Sequence, residues 1–423
     1  MPVLLVGDGS AQTLVQRVPT VVTTYLDDRQ AKGFNALWMH VITNEGILAN
    51  VNGVTDDNIA PFTGTVSGSC NPGPCYDLAT PNPAYFARVD QILNIAAAHG
   101  MVVFLDVWDN DSFQQVFEAN GDTKVAGWSQ YLLNRYKSFP NIVWMTGNDF
   151  QNWSTSATDN RLAQDIMSAI SAGDATHLQT LELNYNMSGS FDDTLLTPYT
   201  TLAAAYTYFP AYYEVLQEYN AAAGLAPVYL IETYYEGIGY GGLNGAQPAS
   251  NLMLRKQPYW TVLAGGLAGY FYGSINWNFP SGWQNSLDTV AVTQLGYWKT
   301  LFNSVPWYNL IPDQTHLIVT AGYGTATGNN GGDIQTDNYV TAAGTADGKL
   351  VLAYVPATAT ITVDMTKLSG TITAQWFDPT NGTYQAVTGS PFANTGTHSF
   401  ASPGTNGKNS AGDPDWVLVL QAN

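Results

Sequence analysis

NIVWMTGNDF, residues 141–150, runs apolar from Ile142 to Met145 and closes on Gly147, Asn148 and Asp149. An uninterrupted apolar run of this length predicts a strand buried on both faces, as in a parallel sheet. A carboxylate at the end of such a strand lies at the mouth of a sheet or barrel, where α/β enzymes place their chemistry. APVYLIETYYEG, residues 226–237, repeats the design, with Glu232 directly after Val228–Ile231.

Outward from these two stretches, strands and helices alternate. PVLLVGDG, FNALWMHVI, MVVFLDVW, LQTLELN, AAAYTYF and GYFYGSINWNF read as further strands. Between them, YFARVDQILNIAAAHG, WSQYLLNRYKSF and RLAQDIMSAISAGDA have helical spacing, often with a glycine or proline stop. Eight strands within about 300 residues predict a (β/α)₈ TIM barrel over 1–306. Residues 185–202 show no helical pattern between the fifth and sixth strands. The polar stretch Thr43–Pro83 reads as a long functional or lid-like loop. From Trp307 onward, NYVTAA, KLVLAYVP, TITVDM, ITAQWFDP and DWVLVLQ are short and separated by turn signals. They predict an antiparallel β-sandwich of seven or eight strands over 307–423.

The bulk properties narrow the partners. Thirty-three acidic against 14 basic residues give a net charge of −19, which argues against nucleic acid or an anionic membrane surface. No apolar run is long enough for a membrane span. The only two cysteines, Cys70 and Cys75, share a Gly/Pro loop and suit a local disulfide in an exported chain. The chain is therefore expected to be secreted or periplasmic, its leader removed, and monomeric. Asp109, Asn110 and Asp111 lack the glycine and distal glutamate of a calcium loop and are expected to be solvated; no metal site is expected. Nor is any cofactor, since neither a dinucleotide fingerprint nor a phosphate-binding glycine loop is present.

The strand ends predict an acidic and aromatic mouth: Asp8, Trp38, His40, Asp106, Trp108, Asn148, Asp149, Glu182, Asn184, Tyr208, Glu232, Glu236 and Trp277. No lysine or arginine stands near them in sequence, so a neutral sugar fits better than a phosphorylated substrate. Glycosidic cleavage needs one acid and one carboxylate that attacks or activates water. Strands four and seven are nearly opposite, which assigns Asp149 as acid/base and Glu232 as nucleophile, with Glu182 and Glu236 as rival nucleophiles. Asn148 suits the sugar's 2-hydroxyl, Asp8 and Asp106 other hydroxyls, and Trp38, Trp108, Tyr208 and Trp277 flat stacking faces. The bland readings are helix caps for the carboxylates and core packing for the aromatics.

LLVGDGSAQTLV, YLDDRQAKGFNALWMHV, YFARVDQILNIAAAHGMVV, RYKSFPNIVWMTGND and PVYLIETYYEG together resemble the apiosidase-like glycoside hydrolases. The resemblance covers most of Val3–Pro306 and implies a retaining barrel with its acid/base at Asp149 and its nucleophile at Glu232. The C-terminal part is similar to the β-sandwich, labelled collagen-binding, that commonly follows in that family. Two features depart from the pattern. Gly9 and Ser10 follow Asp8 where the family has Thr and Trp, and Asn148-Asp149-Phe150 stands for its Gly-Asp-Arg. Another pentofuranoside, such as an arabinofuranoside, is therefore an alternative to apiose. The alternative from another class is a non-catalytic carbohydrate- or matrix-binding protein.

Overall fold

A computed structural model describes residues 2–44, 50–71, 73–184, 187–238, 248–274, 276, 279–328 and 331–422. The first body is built on strands β1 (Leu5–Asp8), β2 (Ala36–His40), β3 (Val102–Asp106), β4 (Ile142–Thr146), β5 (Gln179–Leu181), β6 (Met187–Gly189), β7 (Ala203–Thr207), β8 (Val228–Glu232) and β9 (Gly269–Tyr272). They pair in the order 5-4-3-2-1-9-8-7-6. All pairs are parallel except β6, which lies antiparallel on β7. The parallel strands wrap until β5 meets β7. At that seam the Thr201 and Leu202 amides donate to the Gln179 carbonyl at 2.8 and 3.1 Å. The Ser190 hydroxyl donates to the Leu181 carbonyl at 2.5 Å and accepts from the Ala204 amide at 2.8 Å.

The surrounding helices are α1 (Pro19–Ala31), α2 (Pro83–Ala98), α3 (Asn110–Tyr136), α4 (Ala157–Gly173), α5 (Ala211–Ala221), α6 (Asn251–Leu263) and α7 (Val290–Asn303). Where the fifth connection lacks helical spacing, the described residues form β6 and two short 3-10 turns. The third helix begins far earlier than its apolar pattern. Asp109 caps it by accepting from the Ser112 amide, and Gly121, at φ 65°, breaks it internally. Asp109 is thus fully buried, not solvated as expected. The Thr43–Pro83 loop is a built wall in its described part. Phe62 packs on Tyr76, Phe86 and Trp128, and Cys70 and Cys75 form a disulfide.

The barrel's lower interior is plugged by rings. Phe104 lies 4.7 Å from Phe271 and 5.3 Å from Tyr229 between centroids. Gly7 faces this plug, and a β-carbon there would sit 2.4 Å from the Phe271 ring. A side chain at position 7 is excluded by that contact.

Among the described residues the C-terminal body has ten strands rather than seven or eight, four of them, β10 (Leu310–Pro312), β11 (Val319–Ala321), β16 (Tyr384–Ala386) and β17 (Phe392–Ala393), too short to show a pattern. The longer ones are β12 (Thr341–Thr345), β13 (Leu350–Val355), β14 (Thr360–Asp364), β15 (Thr371–Phe377), β18 (Thr397–Ala401) and β19 (Trp416–Ala422). A seven-stranded antiparallel sheet faces a three-stranded one, β11-β14-β18. β13 is buried at every residue. Val351, Ala353 and Val355 enter the core between the sheets, while Leu350, Leu352 and Tyr354 join the barrel's core.

Candidate active site

Asp149 is placed by two left-handed residues. Gly147 has φ 86° and Asp149 itself φ 49°. A β-carbon on Gly147 would meet the Glu182 carbonyl at 2.3 Å, so the turn after β4 requires glycine. Aspartate tolerates the left-handed region better than most residues. Asn110 Nδ2 donates to the Asp149 carbonyl at 3.3 Å and helps to hold the turn. Asn148 beside it is buried.

Glu232 is placed by a bulge. Ala205 pairs with Leu230, but Tyr206 pairs with Glu232, leaving Ile231 as the extra residue. Tyr229 points into the barrel plug, so strict alternation would send Glu232 outward. The inserted residue turns it in, a re-aiming for which β-bulges are known.

Between the two carboxylates stands Tyr206. Its hydroxyl oxygen is 2.9 Å from Asp149 Oδ1 and 2.9 Å from Glu232 Oε1. Tyr208, two residues along the same strand face, also donates to Glu232 Oε1, and Tyr235 is a third donor. Burial raises the Glu232 carboxyl, and these phenols act against that rise. Glu182 touches Glu232 and is fully buried. Burial, then the charges of Glu232, Asp149 and Asp106, hold it well above the usual carboxylate range. Asp106 is lifted by burial and by Asp109. Asp109 moves the other way: burial lifts it, but contact with His40 and the hydroxyls of Ser112 and Thr43 outweigh that. His40 lies between them, Nε2 3.6 Å from Asp106 and Nδ1 3.3 Å from Asp109.

Of the expected residues, the structure therefore gathers His40, Asp106, Asn148, Asp149, Glu182, Tyr208 and Glu232. Others lie elsewhere. Asp8 points out of the barrel wall: its Oδ1 accepts from the Ser10 amide and caps the turn after β1, and its Oδ2 accepts from the Tyr25 hydroxyl of α1 near Arg29, so neither faces a sugar. Trp108 stacks on Phe117 at 5.1 Å and lies near Phe150, in the layer between barrel and α3. Trp38 is the exception, in place at the site with its ring 5.7 Å from His40 and its side chain against Asp106, yet it is fully buried and offers no open face. Asn184 accepts from the Trp153 indole at 2.9 Å. Glu236 accepts from Tyr272, whose strand position faces the outer helices, so its carboxylate is drawn away from Glu232. Trp277 lies outside the described residues. Tyr206 and Tyr235 were not anticipated; the spacing of Tyr206 and Tyr208 in AAAYTYF, two residues on one strand face, was the available signal. Removing the bridging hydroxyl with Tyr206→Phe is expected to lower kcat/KM about ten- to a hundredfold without changing the fold, checked by steady-state kinetics beside circular dichroism. Among the described residues no cluster of side chains is suited to hold a metal ion. No described helix is long and apolar enough to cross a membrane.

The fold is shared with solved glycoside hydrolases. A glycoside hydrolase family 5 protein from Bacteroides vulgatus superposes with TM-score 0.78 at 19% identity, covering 100% of this chain and 90% of its own. A second structure, named only as a glycoside hydrolase, gives the same score and identity over 100% and 93%. At this identity the likeness shows the fold. Residues 1–309 match the family model described as "Apiosidase-like, catalytic domain". Residues 328–421 match the one described as "Putative collagen-binding domain of a collagenase". A search of curated proteins finds no match. Fold and family together define a glycosidase. The chain belongs to the apiosidase-like family.

Proposed function

We propose that the protein is a retaining glycosidase acting on a terminal or linked pentofuranoside of a plant or microbial glycan, apiose or a related sugar, with Asp149 as acid/base and Glu232 as nucleophile. The observation that carries this reading is Tyr206. Its hydroxyl has one proton yet sits at hydrogen-bond distance from both carboxyls. Donating to one carboxyl, it can only accept from the other, so one of the two acids carries a proton; we assign the charge to Glu232, which also receives Tyr208 and Tyr235, and the proton to Asp149. Three phenols converge on Glu232, which suits an anion. The shared phenol also limits the two bonded oxygens to about 6 Å apart, nearer the roughly 5–5.5 Å of retaining enzymes than the roughly 6.5–9.5 Å of inverting ones.

In this mechanism Asp149 protonates the departing glycosidic oxygen while Glu232 attacks the anomeric carbon. Asp149 then takes a proton from the water that releases the sugar. The Cys70–Cys75 disulfide supports an oxidising, extracellular or periplasmic setting. Reducing-sugar release from a panel of glycans and aryl furanosides tests the reading. Wild type is expected to turn over a pentofuranoside and Glu232→Ala to turn over nothing. Glycan binding without hydrolysis by either protein would favour the non-catalytic alternative.

A second group of buried acids, away from the site, adds to the pH dependence of stability. Glu214 and Glu218 of α5 are buried facing Asp192. Burial first, then the Asp192 charge, raises them to about 8 and about 9. The Phe191 amide donates to Glu218 at 3.1 Å, tying α5 to the turn that carries the seam residue Ser190. The folded state keeps protons that the unfolded chain loses near 4.5. The stability they contribute is complete below that value and is lost as pH rises toward 9. A thermal scan should therefore show Tm falling from pH 5 to pH 9. Glu218→Gln, which keeps the acceptor for Phe191, should flatten the decline.

A further inference from the structure

The two oxygens of Glu182 are enclosed, and no donor group among the described residues bonds them. Their contact is another carboxyl, Glu232. Two carboxyls in contact can share one proton but cannot both be charged without heavy repulsion. Each element around Glu182 adds an acid or a phenol: Asp106 from β3, Asp149 after β4, Tyr206 from β7, Tyr229 and Glu232 from β8. His40, on β2, is engaged between Asp106 and Asp109. The aromatic plug closes the space beneath.

We propose that Glu182 is a positioning residue that stays protonated through the reaction and donates its hydrogen bond to the Glu232 carboxylate. This rests on the reading of Glu232 as nucleophile. Glu232, already the acceptor for three phenols, is the member of the pair better able to hold the charge. The Glu182 proton holds it in one orientation and tempers its basicity, which favours its later departure from the sugar. The proton is not transferred: Glu232 forms and breaks the bond to the anomeric carbon, and Asp149 gives and recovers the travelling proton. Loss of the Glu182 proton places a second negative charge beside the nucleophile and ends activity on the alkaline side.

Two measurements test this, the first independent of any substrate. Infrared difference spectra of wild type against Glu182→Gln near neutral pH should show a protonated-carboxyl carbonyl band in wild type that the variant lacks. Its absence would overturn the assignment even if no glycoside is ever turned over. Second, where hydrolysis is found, Glu182→Leu should lower kcat/KM about ten- to a hundredfold near pH 5, and Glu182→Gln, which restores a donor, should recover most of that loss. The wild-type alkaline limb should fall with a slope above one, from two lost protons (those of Asp149 and Glu182), and the Gln variant with a slope of one. Superimposable pH profiles for wild type and Gln variant would refute the role. If wild type hydrolyses nothing while the infrared band is present, the assigned function fails and the shared proton stands.

Discussion

Glu232→Ala is expected to lower glycoside hydrolysis by at least about 10⁴-fold, comparable to removal of a nucleophile elsewhere. Among the described residues no other carboxylate at the mouth can replace it. Glu182 is enclosed beneath it, and Glu236 is held by Tyr272. The space vacated by the side chain would admit a small anion, so azide should restore turnover and yield a glycosyl azide of inverted configuration. Asp149→Ala should behave differently, losing about 10²–10⁴-fold. Its loss should be smallest on aryl glycosides whose leaving group needs no proton, and azide should give the retained product. Product analysis of the two variants thus separates the roles. An exchange of the two azide outcomes would exchange the assignments.

Deleting residues 310–423 is expected to prevent the barrel from folding in soluble form. Helix α6 is buried along Leu252–Leu263, which a barrel helix with one free face could not be. Its outer side is covered by the C-terminal body. Lys256 directs its ammonium to the carbonyls of Ile334, Gln335 and Asp337 at 2.9, 3.0 and 2.8 Å. Arg255 makes paired bonds to Asp415 at 2.8 and 2.6 Å and a further one to Asp413. Tyr259 stacks on Tyr354 at 4.8 Å, and Trp260 donates to the Tyr339 carbonyl at 3.1 Å. Truncation would strip two cations of their partners and bare two large rings. The point variant Arg255→Ala should cost about 3–5 kcal/mol, because it leaves the buried Asp415 uncompensated. Chemical denaturation of Arg255→Ala and solubility of the 1–309 fragment check both; a soluble fragment melting like the full chain would contradict the account. The C-terminal body is on this view a support for the barrel first, whatever else it binds.

The parallel core was legible because its strands are buried on both faces and so carry unbroken apolar runs, as in Ile142–Met145 and Val228–Ile231. Asp149 and Glu232 were legible as the charges that end those runs. What strand position cannot convey is direction. Asp8 ends β1 just as Asp106 ends β3, yet one faces α1 and the other the site, because Gly7 takes the inward place beside Phe271. Glu232 faces inward only through the Ile231 bulge, which depends on pairing with β7 and has no local sequence mark. The start of α3 was hidden because a polar segment can be helical when caps and tertiary contacts hold it. Tyr206 escaped notice for a chemical reason: its role arises from two acids brought together by distant parts of the chain.

The anomeric configuration of the first product, followed by proton NMR as a pentofuranoside is hydrolysed, tests the central claim most directly. The account predicts the same configuration as the substrate, appearing before mutarotation. First release of the opposite anomer would contradict it, since the two carboxyls would then be activating water rather than forming a bond to the sugar through Glu232.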